Sequence, residues 1–530
     1  MPYSAPMSDV WFLLESLAAG SPRATALIHG AERLDFATLR ERALAAARGL
    51  AALGVGPGDR VALWLPNIPA YPVLYFACAR LGAIAVAVNT RYRAGEVADI
   101  VHRSGARVLA CAPAFRRIDF LSILADIDPA ALDGLAAIVT VGEETAAPPA
   151  LAARRRVAYE RLLEGSGTAP LGAGPDAPCN IFTTSGTTSR PKFVFHAQAG
   201  IARHAQDVAR RFALDAPDTL TLSVLPLCGV FGFNQAMATL AAGRPVVLVE
   251  SFDVDELARL IAEHRPTWLA GSDDMYARLL DAAPGTRPFP SLRFAIYAAF
   301  NNELADIADR AQARGLALCG VYGMSEVQAL YARRDPALPL GARKASGGSL
   351  TAPDAAVRVR DPETGALLGP GEAGALECAG PSLMRGYWGD EAATRAALAD
   401  DGYVRTGDLA ALDGDGGFTF LNRMGDVLRL GGFLVNPLEI EQHLQSLPGI
   451  AACQTVAVAR PGGTRAVSFV VLAPGAAFDE ASAIAHCRRT LASYKTPLRV
   501  VAVEAFPTTP SPNGVKIQRA RLREMAERLF

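Results

Sequence analysis

Lysine is nearly absent from this chain of 530 residues: only four of its 52 basic side chains are lysine (Lys192, Lys344, Lys495, Lys516), the rest being arginine. Net charge is missing too, because 53 acidic side chains leave a balance of -1. That balance removes the electrostatic footprint of a general nucleic-acid binder and makes an anionic membrane surface a poor main partner. No two cysteines are close in sequence. Cys78, Cys111, Cys179, Cys228, Cys319, Cys378, Cys453 and Cys487 form no Cys-x-x-Cys pair and have no histidine at metal spacing, which favours free thiols and a reducing compartment. The stretch from Met1 to Leu17 carries Asp9 and Glu15 but no basic residue, so it lacks the positive head of a secretory signal, and the expectation is a cytoplasmic protein. Charge is absent altogether between Asp218 and Arg244, a length that could span a bilayer. Pro226, Asn234, Gln235 and several threonines there argue instead for buried sheet and loop, with no membrane span.

What the chain does contain is a globular balance of 51% apolar and 20% charged residues, enough for two to four domains at ~150 residues each. Residues 34 to 140 alternate helical spacing with short apolar runs. Phe36 to Leu53 is amphipathic and stops at Gly54-Val55-Gly56-Pro57-Gly58-Asp59; Arg60 to Leu65 and Ala83 to Val88 read as strands, with Tyr71 to Leu81 as a helix between them. This is the rhythm of a layered α/β fold with mostly parallel strands. A polar connection spans Gly165 to Pro178, and the rhythm then resumes to residue 340. From about 350 short strands and turns (Ala356 to Asp361, Gly374 to Cys378, Gly416 to Leu421) predict a small β-rich subdomain. Beyond 425, strand-like runs at 451–459, 466–472 and 498–503 mix with helices at 437–446 and 480–492, a compact α+β unit of about a hundred residues.

The densest chemical signal is Thr183-Thr184-Ser185-Gly186-Thr187-Thr188-Ser189-Arg190-Pro191-Lys192, between the strand-like Cys179 to Phe182 and Phe193 to Phe195. Backbone N–H groups, small hydroxyls and an ammonium on one loop suit a polyphosphate. It is not a Walker A loop, which needs Gly before the Lys and Ser or Thr after it; here Pro191 precedes and Phe193 follows. Composition alone favours an ordinary Ser/Thr-rich surface turn. The lysines bear on this choice, since a chain that uses arginine almost everywhere can keep lysine where a compact, mobile point charge is needed; for any single lysine, drift is the simpler account.

Together with Val321-Tyr322-Gly323-Met324-Ser325-Glu326, Tyr403-Val404-Arg405-Thr406-Gly407-Asp408-Leu409, Asn422-Arg423 and Asn513-Gly514-Val515-Lys516-Ile517, this loop resembles the adenylate-forming superfamily of acyl-CoA synthetases. The similarity extends to Gly56-Pro57-Gly58-Asp59-Arg60-Val61-Ala62 and Met384-Arg385-Gly386-Tyr387-Trp388. The resemblance implies an α/β fold: a large N-terminal domain (1–423) of layered subdomains plus the β-rich one, then a small mobile lid (424–530). It implies a two-step ligase in which a carboxylate attacks the α-phosphate of ATP to give acyl-AMP and pyrophosphate, and the thiol of CoA then displaces AMP.

By the same resemblance Thr184, Ser185, Gly186, Thr187, Thr188 and Lys192 would hold the β- and γ-phosphates, with Glu326 and Thr188 at Mg2+. Tyr322 would stack on adenine beside Ala299, Phe300 and Gly323, Ser325 would reach the α-phosphate, and Asp408 with Arg423 would hold the ribose hydroxyls. Lys516 corresponds to the adenylation lysine, Gly425 to the hinge, and Gly431 with Gly432 to the approach of CoA. Lys192, Lys495 and Lys516 all occupy motif positions, which fits the point-charge argument. Departures from the pattern are Gly229 in place of His, Ala298-Ala299-Phe300-Asn301 in place of a Gly-rich stretch, Ser189 and Phe193 in place of glycines, and the extra Val515. Gly229, Phe233, Asn234, Tyr297 and Val327 are the expected acyl pocket. They carry no charge, so an uncharged aryl or medium-chain aliphatic acid is the expected substrate. His196 and His204 read as structural. Two alternatives stay open: a ligase loading the phosphopantetheine of a carrier protein, and a nucleotide-binding homologue without catalysis. Oligomeric state and pathway stay open as well.

Overall fold

The alternation of strand and helix expected near the N-terminus is what the chain builds. A computed structural model describes residues 9–530 apart from 117, 143–147, 173, 185–190, 301–303, 425–427, 431–432, 462, 492 and 512–513. The chain divides into two units: Met1–Ala298 with Ala308–Val357 and Cys378–Arg405, and Ala299–Ile307 with Arg358–Glu377 and Thr406–Phe530.

In the first unit the helix Phe36–Ala52 begins where the Asp35 carboxylate accepts the Thr38 N–H at 2.7 Å. It buries Phe36, Leu39, Ala43, Ala46, Ala47 and Leu50, a helical spacing along one face. Burying each large apolar side chain contributes roughly 1.5–3 kcal/mol. Strands Arg60–Trp64 and Ile84–Ala87 lie parallel, flanking the helix Ala70–Leu81, and Ala106–Cys111, Ala137–Thr140 and Arg156–Ala158 extend the sheet on one side. On its other side Pro178–Thr183 joins Ile84–Ala87 in parallel, then pairs antiparallel with Phe193–Ala197, which pairs with Gly386–Tyr387 at the edge. A second sheet runs parallel through Thr25–His29, Val246–Leu248, Thr221–Ser223, Trp268–Ser272, Phe294–Ala298 and Leu318–Tyr322. Apart from the edge strand Arg156–Ala158, the parallel strands are buried along most of their length, so they read as apolar runs without alternation.

The uncharged stretch 219–243 departs from its expectation of sheet and loop. It contains the strand Thr221–Ser223 but also a helix, Val230–Ala241, in which ten of twelve residues are buried. A helix buried all round shows no polar face, so periodicity could not reveal it. Twelve residues rise only about 18 Å, too short for a bilayer. Among the described residues no helix is long and apolar enough to cross a membrane.

The second unit holds most of the strands Ala373–Ala379 and Val404–Leu412 and all of Phe418–Arg423, the last two antiparallel. Farther along, Ile450–Arg460 pairs antiparallel with Gly463–Leu472, which pairs parallel with Arg499–Ala502. The helices Pro437–Gln445 and Glu480–Thr490 pack Ile440, Leu444, Ala483 and Cys487 with Val470 and Val500 in one apolar core. The helices and the strands Ile450–Arg460 and Arg499–Ala502 lie within two residues of where the sequence places them, whereas Gly463–Leu472 begins three residues earlier than expected and Val404–Leu412 falls on a motif that the sequence does not mark as a strand.

Candidate active site

The loop after Thr183 is a hairpin connection whose base the antiparallel pair Thr183 and Phe193 defines. Thr184 N–H donates to Lys192 O at 3.0 Å, and Lys192 N–H donates to Thr184 Oγ1 at 3.3 Å. Ser185, Gly186, Thr187 and Thr188, the expected phosphate ligands between these ends, lie outside the described residues. Arg103 braces the base: its Nη2 donates to Pro191 O at 2.8 Å and its guanidinium lies 4.1 Å from the Phe193 ring centre.

Lys192 and Glu326, 134 residues apart, are brought together through a residue to which the sequence assigns no role. Lys192 Nζ stands 4.6 Å from the centre of the Tyr387 ring, and the Tyr387 hydroxyl donates to Glu326 Oε1 at 2.8 Å. Glu326 is only 7% exposed, and a carboxylate so buried is costly unless partnered. Met384 N–H donates to Glu326 O at 2.8 Å, so the 384–388 motif meets the 321–326 motif here. Tyr387 was visible as a motif member, but nothing in the sequence pairs it with Glu326. Among the described residues no group of three His, Cys, Asp or Glu could hold a metal. A single hard carboxylate fits Mg2+, which is held by one or two carboxylates plus substrate phosphates and waters.

Tyr322 ends the strand Leu318–Tyr322 and is 6% exposed. Gly323 follows because nothing larger fits: a Cβ there would stand 2.3 Å from Ala329 Cα. Ser325 and Glu326 lie in a short 3-10 turn, Ser325–Val327. His196 Nε2 donates to Ser325 O at 2.8 Å and His204 Nε2 to Ala329 O at 2.9 Å. Both imidazoles are fully buried, which pushes each down to about 4 and keeps them neutral.

Of the expected acyl pocket, Gly229, Phe233 and Asn234 share the start of one helix, with Gly229 as its cap. Asn234 Nδ2 donates to Val230 O and to Gln328 O, which joins this helix to the chain just after the buried Val327. Phe233 packs edge-on against Tyr75 and Phe182, with ring centres 4.9 and 5.4 Å away. Tyr297 is 5% exposed, its hydroxyl donates to Lys344 O at 2.7 Å, and burial pushes that hydroxyl up to about 12.

In the second unit Asp408 and Arg423 face each other across two antiparallel strands, with Arg423 Nε 3.0 Å from Asp408 Oδ1. Asp408 is 1% exposed, whereas half of the Arg423 side chain is open. Ala299 and Phe300 are exposed. Lys516 lies in the strand Gly514–Ile517, opposite Thr509. Lys495 Nζ pairs with Glu439 Oε2. Gly425, Gly431 and Gly432 lie outside the described residues.

The AMP-binding enzyme family matches residues 14–388, and the AMP-binding enzyme C-terminal domain matches residues 439–512. This chain belongs to the AMP-binding enzymes. The chain is 33% identical over 498 residues to a feruloyl-CoA synthase of an Amycolatopsis species, an alignment covering 93% of this chain and 94% of that one. It is 28% identical over 537 residues to the long-chain-fatty-acid–CoA ligase FadD13 of Mycobacterium tuberculosis, with 98% of each chain covered. Among solved structures it resembles ATP-bound MatB from Rhodopseudomonas palustris with a TM-score of 0.82 and 27% identity, covering 98% of this chain and 99% of that one. The enzyme is an acid–thiol ligase of the AMP-forming acyl-CoA synthetase type, with ATP and CoA as its co-substrates.

Proposed function

We propose that this ligase activates an uncharged aryl or medium-chain aliphatic carboxylic acid and transfers the acyl group to CoA. The observation that carries the adenylation site is the Lys192–Tyr387–Glu326 arrangement at the base of the hydroxyl-rich loop. For the substrate, the support is that Gly229, Phe233, Asn234, Tyr297 and Val327 offer no charge to pair with a second ionised group.

In this reading Lys192 and the loop hydroxyls hold the β- and γ-phosphates, and Glu326 with Thr188 holds Mg2+. Mg2+, when bound, supplies charge neutralisation on the phosphates. Tyr322 lies against the adenine, and Asp408 with Arg423 binds the ribose diol. Residues 424–530 act as a lid turning at Gly425; the lid brings Lys516 to the carboxylate and α-phosphate for adenylation, and Gly431 and Gly432 to CoA for thioester formation.

The test is carboxylate-dependent exchange of labelled pyrophosphate into ATP across benzoates, aryl-acetates, cinnamates and short- to medium-chain fatty acids, with AMP and thioester measured on adding CoA. Exchange with one uncharged class that turns into thioester is the expected result, and Lys516→Ala should lower exchange about 100- to 1,000-fold. Efficient activation of an amino acid or a dicarboxylate would overturn the substrate reading. Exchange without thioester would redirect the second step to a carrier protein.

A further inference from the structure

The chain that follows Glu326 takes a course that few L-residues adopt. Gln328, Ala329 and Leu330 have φ of 65°, 50° and 45°, three consecutive left-handed residues without a glycine. Such a run costs free energy at each position and persists only where the surroundings over-determine it.

Here the surroundings do so. Three buried side chains donate to the three successive carbonyls: Asn234 Nδ2 to Gln328 O, His204 Nε2 to Ala329 O and Thr351 Oγ1 to Leu330 O. Just upstream, His196 Nε2 donates to Ser325 O and Met384 N–H to Glu326 O. The donors come from separate places in the first unit: the strand Phe193–Ala197, the helix Gln198–Arg211, the helix Val230–Ala241, and residues 351 and 384. His196, His204 and Asn234 are each completely buried, and the neutral state of both imidazoles leaves each Nε2–H as a fixed donor. The segment they hold is the one that carries Ser325 and Glu326.

We propose that His196, His204 and Asn234 are positioning residues for nucleotide binding, clamping the 3-10 turn at 325–327 and the left-handed course of 328–330 that follows it, and thereby aiming the Glu326 carboxylate. This rests on the reading of Glu326 as the carboxylate at the Mg2+–phosphate site. Groups that orient a metal-binding side chain commonly change metal affinity or activity 10- to 100-fold when removed.

The experiment compares His204→Phe, which keeps a flat buried ring but donates nothing, with His204→Gln, which restores an N–H. Asn234→Leu is the independent second variant, and Glu326→Gln runs alongside. Two quantities are read: binding of ATP with Mg2+ and of AMP with chelator, by calorimetry, and amide hydrogen exchange across 325–331 in the nucleotide-free protein. His204→Phe should weaken Mg·ATP binding about tenfold or more, weaken AMP binding less, and speed exchange across 325–331. His204→Gln should recover most of both. A folded His204→Phe with wild-type exchange and wild-type Mg·ATP binding overturns the clamp. So does fast exchange of these amides in the wild type, a measurement that needs no variant. If Glu326→Gln leaves Mg·ATP binding unchanged, the reading of Glu326 falls and the clamp's role with it. If Glu326→Gln weakens binding while the clamp variants do not, only the clamp falls.

Discussion

The Tyr387 ring lies between two charges, the Lys192 ammonium over its face and the Glu326 carboxylate at its hydroxyl. Tyr387→Phe keeps the first contact and deletes the second, which leaves a buried carboxylate short of a donor. The expected outcome is a roughly tenfold fall in kcat/KM for Mg·ATP with little change in KM for the carboxylic acid, read by exchange kinetics at varied ATP. The buried histidines give a second prediction. Their folded values near 4 lie below the ordinary 6.5, so the unfolded chain binds more protons between those limits. Stability from these groups is therefore complete above about pH 6.5 and is lost as the pH falls towards 4. Thermal midpoints across this range should fall on acidification, and His204→Gln should flatten the slope. Individual residues were legible in the sequence only where a motif named them. Glu326 and Lys192 carry recognisable neighbours, whereas the pairing of Tyr387 with Glu326, the Arg103 brace and the histidine donors arise from contacts between segments 61 to 129 residues apart, which no local pattern records.

At the scale of elements, the turn from Gly323 to Leu330 is held from inside as well as outside. A methyl group on Gly323 would meet backbone on the far side of the same turn, Ala329 Cα at 2.3 Å and Ala329 C at 2.6 Å, and backbone cannot step aside as a side chain can. Gly323→Ala should destabilise the protein by about 1–3 kcal/mol or more, measured by urea unfolding, and should abolish nucleotide binding before it abolishes folding. Elements were legible where one face meets water. The helices Phe36–Ala52 and Pro437–Gln445 show their period in the sequence because each leaves residues exposed. The helix Val230–Ala241 was not legible, because burial on nearly all sides removes the polar half of the pattern.

For the whole molecule, the scattered cysteines expected to be free thiols are free, and all eight are buried. Burial pushes Cys111, Cys179 and Cys228 up to about 12 and Cys319 and Cys487 up to about 11, so little reactive thiolate forms at neutral pH. Titration with an aromatic disulfide reagent should therefore find almost no fast thiol in the native enzyme and eight after unfolding, and reductant should leave the thermal midpoint unchanged. The scarcity of lysine has a consequence of its own. An acyl-adenylate is an acylating agent, and one that escapes its site is attacked by the amines it meets, which take the acyl group and release AMP. Of the few amines here, Lys344 is paired with Asp309, Lys495 with Glu439, and Lys192 is held over an aromatic ring. The arginines that cover the rest of the protein stay protonated and offer no nucleophile. The ligase thus presents its own reactive intermediate with very few side-chain amines to modify.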